Sequence, residues 1–145
     1  MKKLTPPDLE YESRIRSSFA QQGVMKTIGA HLAQVSPGEV RIELPWSKAI
    51  TQQHGFVHAG ILSTIADNAC GYAAYTLMPA GSEVLGVENK INFLAPAKGE
   101  RFVAIGKVIK AGRTLAVCSG EVWATNNGEK TLVAVMQTTM MALVK

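Results

Sequence analysis

Residues 57–77, "VHAGILSTIADNACGYAAYTL", decide how the rest of the chain is read. Apolar or small side chains stand at 57, 61, 62, 65, 66, 69, 70, 73, 74 and 77. Steps of three and four in alternation mark a helix buried along one broad stripe. The "MPAG" of residues 78–81 ends it, because proline cannot continue the hydrogen-bond ladder.

Downstream of that helix the period changes. The segments 83–96 ("EVLGVENKINFLAP"), 100–110 ("ERFVAIGKVIK"), 113–125 ("RTLAVCSGEVWAT") and 130–144 ("KTLVAVMQTTMMALV") are rich in Val, Ile, Thr and aromatic residues. Such residues fit a pleated, half-buried surface. "PAKGE", "KAGR" and "NNGE" separate them, and the Asn-Gly of the last suits a tight hairpin. Upstream, residues 25–46 ("MKTIGAHLAQVSPGEVRIELPW") read as two strands joined at "SPGE", with Val40, Ile42 and Leu44 alternating against Glu39, Arg41 and Glu43. Residues 8–20 read as a short helix after "PP", with Leu9, Ile15 and Phe19 on one face and Asp8 as its cap. The expectation is an α+β chain: one long helix wrapped by a curved antiparallel sheet of about six strands. Strands this long, against a usual ~5–6 residues, imply curvature. Gly106 and Gly120 in mid-strand mark either bulges or points of close helix approach.

Composition sets bounds. With 145 residues, 47% of them hydrophobic, the chain is expected to form one domain, residues 1–145, with residues 1–22 as an N-terminal helical extension. The opening "MKKLTPPDLEYES" lacks the apolar core of a secretory signal, and no run approaches 18 apolar residues, so a cytoplasmic protein with no membrane partner is expected. Cys70 and Cys118 lie in apolar stretches with no CxxC and read as buried free thiols. Of the basic residues, Lys90, Lys98, Arg101, Lys107, Lys110 and Arg113 face only Glu100 within 90–113, in a chain of net charge +4. Such a segment suits a phosphate-bearing ligand or is a solvated strand face. It lacks the Gly-aromatic signature of an RNA-binding sheet, and no nucleic-acid partner is expected.

The chemistry is sought in residues 52–67, "QQHGFVHAGILSTIAD". His54 and His58 stand four apart, but "HGFVH" lacks the acid of a zinc-protease helix and offers no third ligand, so no metal is expected. The small residues Ala59 and Gly60 leave the first backbone N–H groups of the helix approachable by an anion or a developing oxyanion. Asp67 lies two turns further on, with no cation in reach on its own helix. It is either the helix's polar edge together with Asn68 and Gly71, or a carboxylate placed for chemistry.

Taken with "VENKINFLAPAKGE" and "VIKAGRTLAVCSGEVWA", the stretch "QQHGFVHAGILSTIADNACGYAA" resembles the hotdog-fold acyl-CoA thioesterases of the phenylacetic-acid-degradation (PaaI) type. The similarity spans about residues 25–142. Its most specific part is a His-Gly-Gly followed by an acid nine residues after the His and preceded by Asn or Gln six residues before it. Here these are His58, Ala59, Gly60, Asp67 and Gln52, with Ala59 in place of the first glycine. The resemblance implies a cofactor-free homodimer as the minimal unit and a homotetramer as the expected assembly, the amide end of one helix facing Asp67 of the partner. It implies hydrolysis of a small or medium acyl-CoA, aromatic or aliphatic, with Asp67 as base or nucleophile, Ala59 N–H as oxyanion donor, and Gln52 and His58 orienting. Val57, Ile61, Tyr72, Tyr75, Leu85 and Phe93 become candidates for the acyl pocket, Asn89 for a further substrate contact, and Lys90, Lys98, Arg101, Lys110 and Arg113 for the CoA phosphates. Gly86 stands where several relatives place a hydroxyl, with Asn89 or Thr64 as candidate substitutes. The alternatives are an acyl-CoA-binding domain without catalysis and a hotdog hydratase or dehydratase.

Overall fold

A computed structural model describes residues 4–144; the first three residues of the expected N-terminal extension lie outside the described residues. Helices α1 (Tyr11–Ala20) and α2 (Gly23–Ile28) precede strands β1 (His31–Ser36) and β2 (Glu39–Pro45). The long helix α3 (Ala59–Tyr75) follows, then β3 (Ser82–Phe93), β4 (Arg101–Ala111), β5 (Leu115–Asn126) and β6 (Glu129–Val144). The six strands form one sheet in the order β1-β2-β4-β5-β6-β3, every neighbouring pair antiparallel. This is the hotdog arrangement: α3 lies across one face and carries the chain from β2 to the opposite edge, where β3 lies.

The helix can lie that close because the sheet gives it room. A Cβ on Gly106 would stand 2.2 Å from the carbonyl carbon of Ala69, and one on Gly120 would stand 2.9 Å from Cys70 Sγ. Both glycines are therefore points of close approach rather than bulges. The bulges fall elsewhere, at Leu32/Gln34, Gly86/Glu88, Val108/Lys110 and Val122/Trp123, and bend the long strands around the helix. Ile42, Leu44, Phe102, Ala104, Val122 and Met140 point inward against Leu62, Ile65, Ala66 and Ala69, all buried. Cys70 and Cys118 are free and buried in this core, and burial pushes both thiols up, that of Cys118 to about 12. Asn127 and Gly128 take the positive φ values of 50° and 82° that a tight hairpin between β5 and β6 requires.

Two boundaries differ from expectation. Residues 25–28, expected as strand, belong to α2: Met25 and Ile28 stand three apart on one buried face, and Gly29 at φ 77° ends the helix. β1 therefore begins only at His31. The first helix starts at Tyr11, three residues later than expected, because the Asp8 carboxylate accepts from Glu10 N–H (3.0 Å) in a turn before the helix and pairs with Arg14 (3.3 Å). No helix among the described residues is long and apolar enough to cross a membrane.

Candidate active site

The loop ahead of α3 is tied at four points. Gln52 N–H donates to Phe56 O (2.8 Å) and Gly55 N–H to Gln52 O (3.0 Å), with Gly55 at φ 85°. Val57 N–H donates to Ala97 O (3.1 Å), and His58 N–H to Ile50 O (2.9 Å). His58 is thereby held as the N-cap of α3, its Nδ1 accepting from Gly60 N–H at 2.8 Å. A neutral His58 so engaged carries its proton on Nε2. A Cβ at position 60 would stand 3.1 Å from that Nδ1, a tight contact to which the ring would have to give way. Ala59 N–H has no acceptor among the described residues, and Ala59 and Gly60 are exposed, so the helix end offers an open donor.

Asp67 lies on the same helix but away from that end. Nine residues at 1.5 Å each put it about 13 Å along the axis from His58. It is half-buried and has no cationic partner among the described residues. Burial raises its pKa above the usual value of 3.8, and Asn89, whose Nδ2 stands 3.5 Å from Oδ1, pulls it back in part. A Cβ on Gly86 would stand 3.9 Å from Asp67 Oδ1, so β3 leaves the carboxylate space there. Thr64 does not serve it: its hydroxyl donates to Gly60 O within the helix (2.8 Å).

Asp67 opens onto a cleft of about 210 Å³ between α3, β3 and β6, with Asn68, Gly71, Tyr72, Val84, Gly86 and Met140 in its walls. Its far side is made by Ser18 and Gln22 from the end of α1 and the residues just after it. Neither residue is visible as a site residue in the sequence, because nothing in the 8–22 segment tells which helix it will lie against.

The other expected site residues are scattered. Gln52 is half-buried and its Oε1 accepts from His54 N–H, leaving its amide NH₂ without an acceptor among the described residues. Val57 is 3% exposed and packs into the core, while Ile61 is half-buried. Lys98 borders a groove with Trp46 and Gly55 near the helix's amide end. Lys90 stands with Glu88, Asn92 and Gln137 on the sheet face turned away from α3. Arg113 lies in the β4–β5 turn, the far end of an 11-residue strand from Arg101, roughly 35 Å away at ~3.4 Å per residue. The basic segment is thus a string along the sheet and not a patch. Among the described residues no group of three His, Cys, Asp or Glu side chains could hold a metal ion.

The chain is similar to known proteins over most of its length. The thioesterase superfamily profile matches residues 54–131, from the loop ahead of α3 into β6. A crystal structure of a thioesterase family protein from Silicibacter pomeroyi is 50% identical, covers 93% of this chain and 99% of its own, and superimposes with a TM-score of 0.92. Human acyl-coenzyme A thioesterase 13 is 32% identical over 71% of this chain and 72% of its own length. The PaaI protein of the E. coli phenylacetic acid degradation operon, 18% identical with a TM-score of 0.81 over 92% of this chain and 94% of its own, shares the fold.

Proposed function

Because the chain belongs to the thioesterase superfamily and is a thioester hydrolase of the hotdog fold, we propose that it cleaves a small or medium acyl-CoA to free acid and CoA across a two-fold dimer. The observation that carries this reading is one helix bearing two half-sites: a capped end with an open amide, and an acid without a cation nine residues later. About 13 Å along one axis separates them, too far to act on one atom, so the partner's helix supplies the missing half of each site. The sheet supports the pairing: β3 is an edge strand, paired with β6 on one side only, and exposes Leu85 (46%) and Val87 (52%). Edges of this kind are templates for a second copy.

In each site the thioester carbonyl accepts from Ala59 N–H at the positive end of α3, where charge develops as the carbonyl carbon becomes tetrahedral. Removing one such donor typically costs about 10²- to 10³-fold in turnover. Asp67 of the opposing protomer takes a proton from the attacking water, or attacks the carbonyl carbon itself; the C–S bond then breaks and the CoA sulfur leaves as thiolate, and in the second route water hydrolyses the resulting acyl–Asp67 anhydride to the free acid and restores the carboxylate. The free NH₂ of Gln52 and the Nε2–H of His58 orient the carbonyl or the water, and Asn89 holds Asp67. Ile61 borders the thioester, with Val57 behind it as support. Lys98, in its groove near the amide end, contacts the CoA phosphates; Lys90 and Arg113 stand away from that end in their own protomer and reach CoA only from the partner.

Free-thiol release over a panel of aliphatic and aromatic acyl-CoAs, for wild type and Asp67→Asn, tests the reading. Turnover in the wild type and a loss of at least about 10³-fold in the variant are expected. Equal rates in both would remove the assignment.

A further inference from the structure

The cleft beside Asp67 has a closed end. Its lining follows α3 from Asp67 and Asn68 to Tyr72, five residues or about 7–8 Å of rise. There the Tyr72 hydroxyl, on a residue 4% exposed, accepts from Gln22 Nε2 at 2.8 Å and lies 3.1 Å from Ser18 Oγ. This end is anchored. Arg14 of α1 donates to the carbonyl oxygens of Tyr75 (3.1 Å), Met78 (3.1 Å) and Pro79 (2.8 Å), and its guanidinium sits 4.3 Å from the centre of the Tyr75 ring. Between the open and closed ends, Asn68 Oδ1 is buried with no hydrogen-bond partner among the described residues. A buried acceptor without a donor is costly and rare, and a ligand that brings the donor relieves it. One protomer's share of the cleft measures about 210 Å³, with Glu83 also in its lining.

We propose that Gln22, Ser18 and Tyr72 form the stop of the acyl pocket and Asn68 its polar reader. The enzyme then selects short acyl-CoAs that carry a hydroxyl close to the thioester, over saturated chains too long to end at Tyr72. The proposal rests on the reading that Asp67 faces the thioester. Two determinants act separately: Gln22 blocks extension past the end of α1, and Asn68 Oδ1 accepts from the acyl hydroxyl one residue along α3 from Asp67.

The test uses full-length protein with non-hydrolysable acyl-CoA thioethers in a calorimeter, and the matching thioesters in thiol-release assays. Wild type is expected to bind the 3-hydroxyhexanoyl thioether at least about tenfold more tightly than the hexanoyl one, and the dodecanoyl one more weakly than either. In Gln22→Ala the penalty on dodecanoyl falls by about tenfold in Kd and in KM, since the blocking side chain is gone. Gln22→Met, which refills the space, restores the length limit. Asn68→Leu loses the preference for the hydroxyl. Should Gln22→Ala melt without cooperativity, Gln22→Ser, which shortens the blocking side chain and keeps a polar group beside Tyr72, gives the same reading of length. Equal affinity of wild type for hexanoyl and dodecanoyl thioethers, or a length profile that a folded Gln22→Ala leaves unchanged, overturns the proposal. Failure of the hydrolase reading looks different: no thioester is cleaved, yet the thioether series still reports the pocket.

Discussion

Asp67 is half-buried among Ala66, Gly71, Gly86 and Met140, and burial favours its protonated form. The folded chain therefore holds that proton more tightly than the unfolded chain, whose Asp titrates near 3.8. Between the ordinary and the raised value, stability falls as pH rises; above the raised value the full penalty is present. Asp67→Asn removes the penalty, so its melting temperature at pH 7 is expected to exceed that of wild type, the gap closing as pH drops below the ordinary Asp range. The same shift moves the acid limb of the wild-type pH–rate profile above the usual carboxylate range, because chemistry needs the ionised form. Differential scanning calorimetry from pH 3 to 8 and a pH–rate series check the two signs together. At this scale much was legible in the sequence. The sequence placed Ala59 and Gly60 at the start of the long helix and Asp67 further along it with no cation in reach, and the structure keeps both placements. Val57 carried two readings, first position of the buried stripe and candidate for the pocket; it lies in the core, just ahead of α3, with its N–H bonded to Ala97 O far away in sequence.

Among the elements, the contact of α3 with the sheet is the most exacting. Gly106 meets the backbone of Ala69 and Cys70, which cannot rotate aside, whereas Gly120 meets a side chain that can yield. Gly106→Ala is therefore expected to cost at least about 1–3 kcal/mol, and Gly120→Ala less; urea denaturation of both variants measures the difference. The three-and-four period gave α3 to within two residues, and the turn chemistry of "NNGE" and "SPGE" gave both hairpins, because these signals are local. α2 escaped because a six-residue helix is too short for a period, and its Thr27 and Ile28 also suit a strand. The cleft wall escaped for another reason: Ser18 and Gln22 gain their meaning only from Tyr72, about 50 residues later.

For the whole molecule, the dimer proposed above makes each protomer hold halves of two different sites. A dimer mixed from Asp67→Asn and Ala59→Pro, the latter lacking the donor N–H, carries both lesions in one site and none in the other. Two nearly inactive homodimers, unfolded and refolded together, are expected to regain about a quarter of wild-type activity, since roughly half of the chains then enter mixed dimers with one intact site each. No recovery, with mixed dimers verified by mass spectrometry, would place both halves of each site within one chain. Charge at this scale misleads when read along the chain, since residues contiguous in sequence spread over the length of β4 and both ends of the sheet.

The strand order carries one more consequence. β6, the last strand, is inserted between β5 and β3, so β3 has no neighbour until residues 129–144 are made. During synthesis the helix with its acid leaves the ribosome long before Met140, which lines the cleft, and residues 82–93 must wait as an unpaired ribbon. Pairing across so wide a sequence gap is slow, and the waiting ribbon is open to wrong partners. Losing the last dozen residues would thus strip the nascent protein of β3 as well as β6, and leave an aggregate where a shortened enzyme was intended.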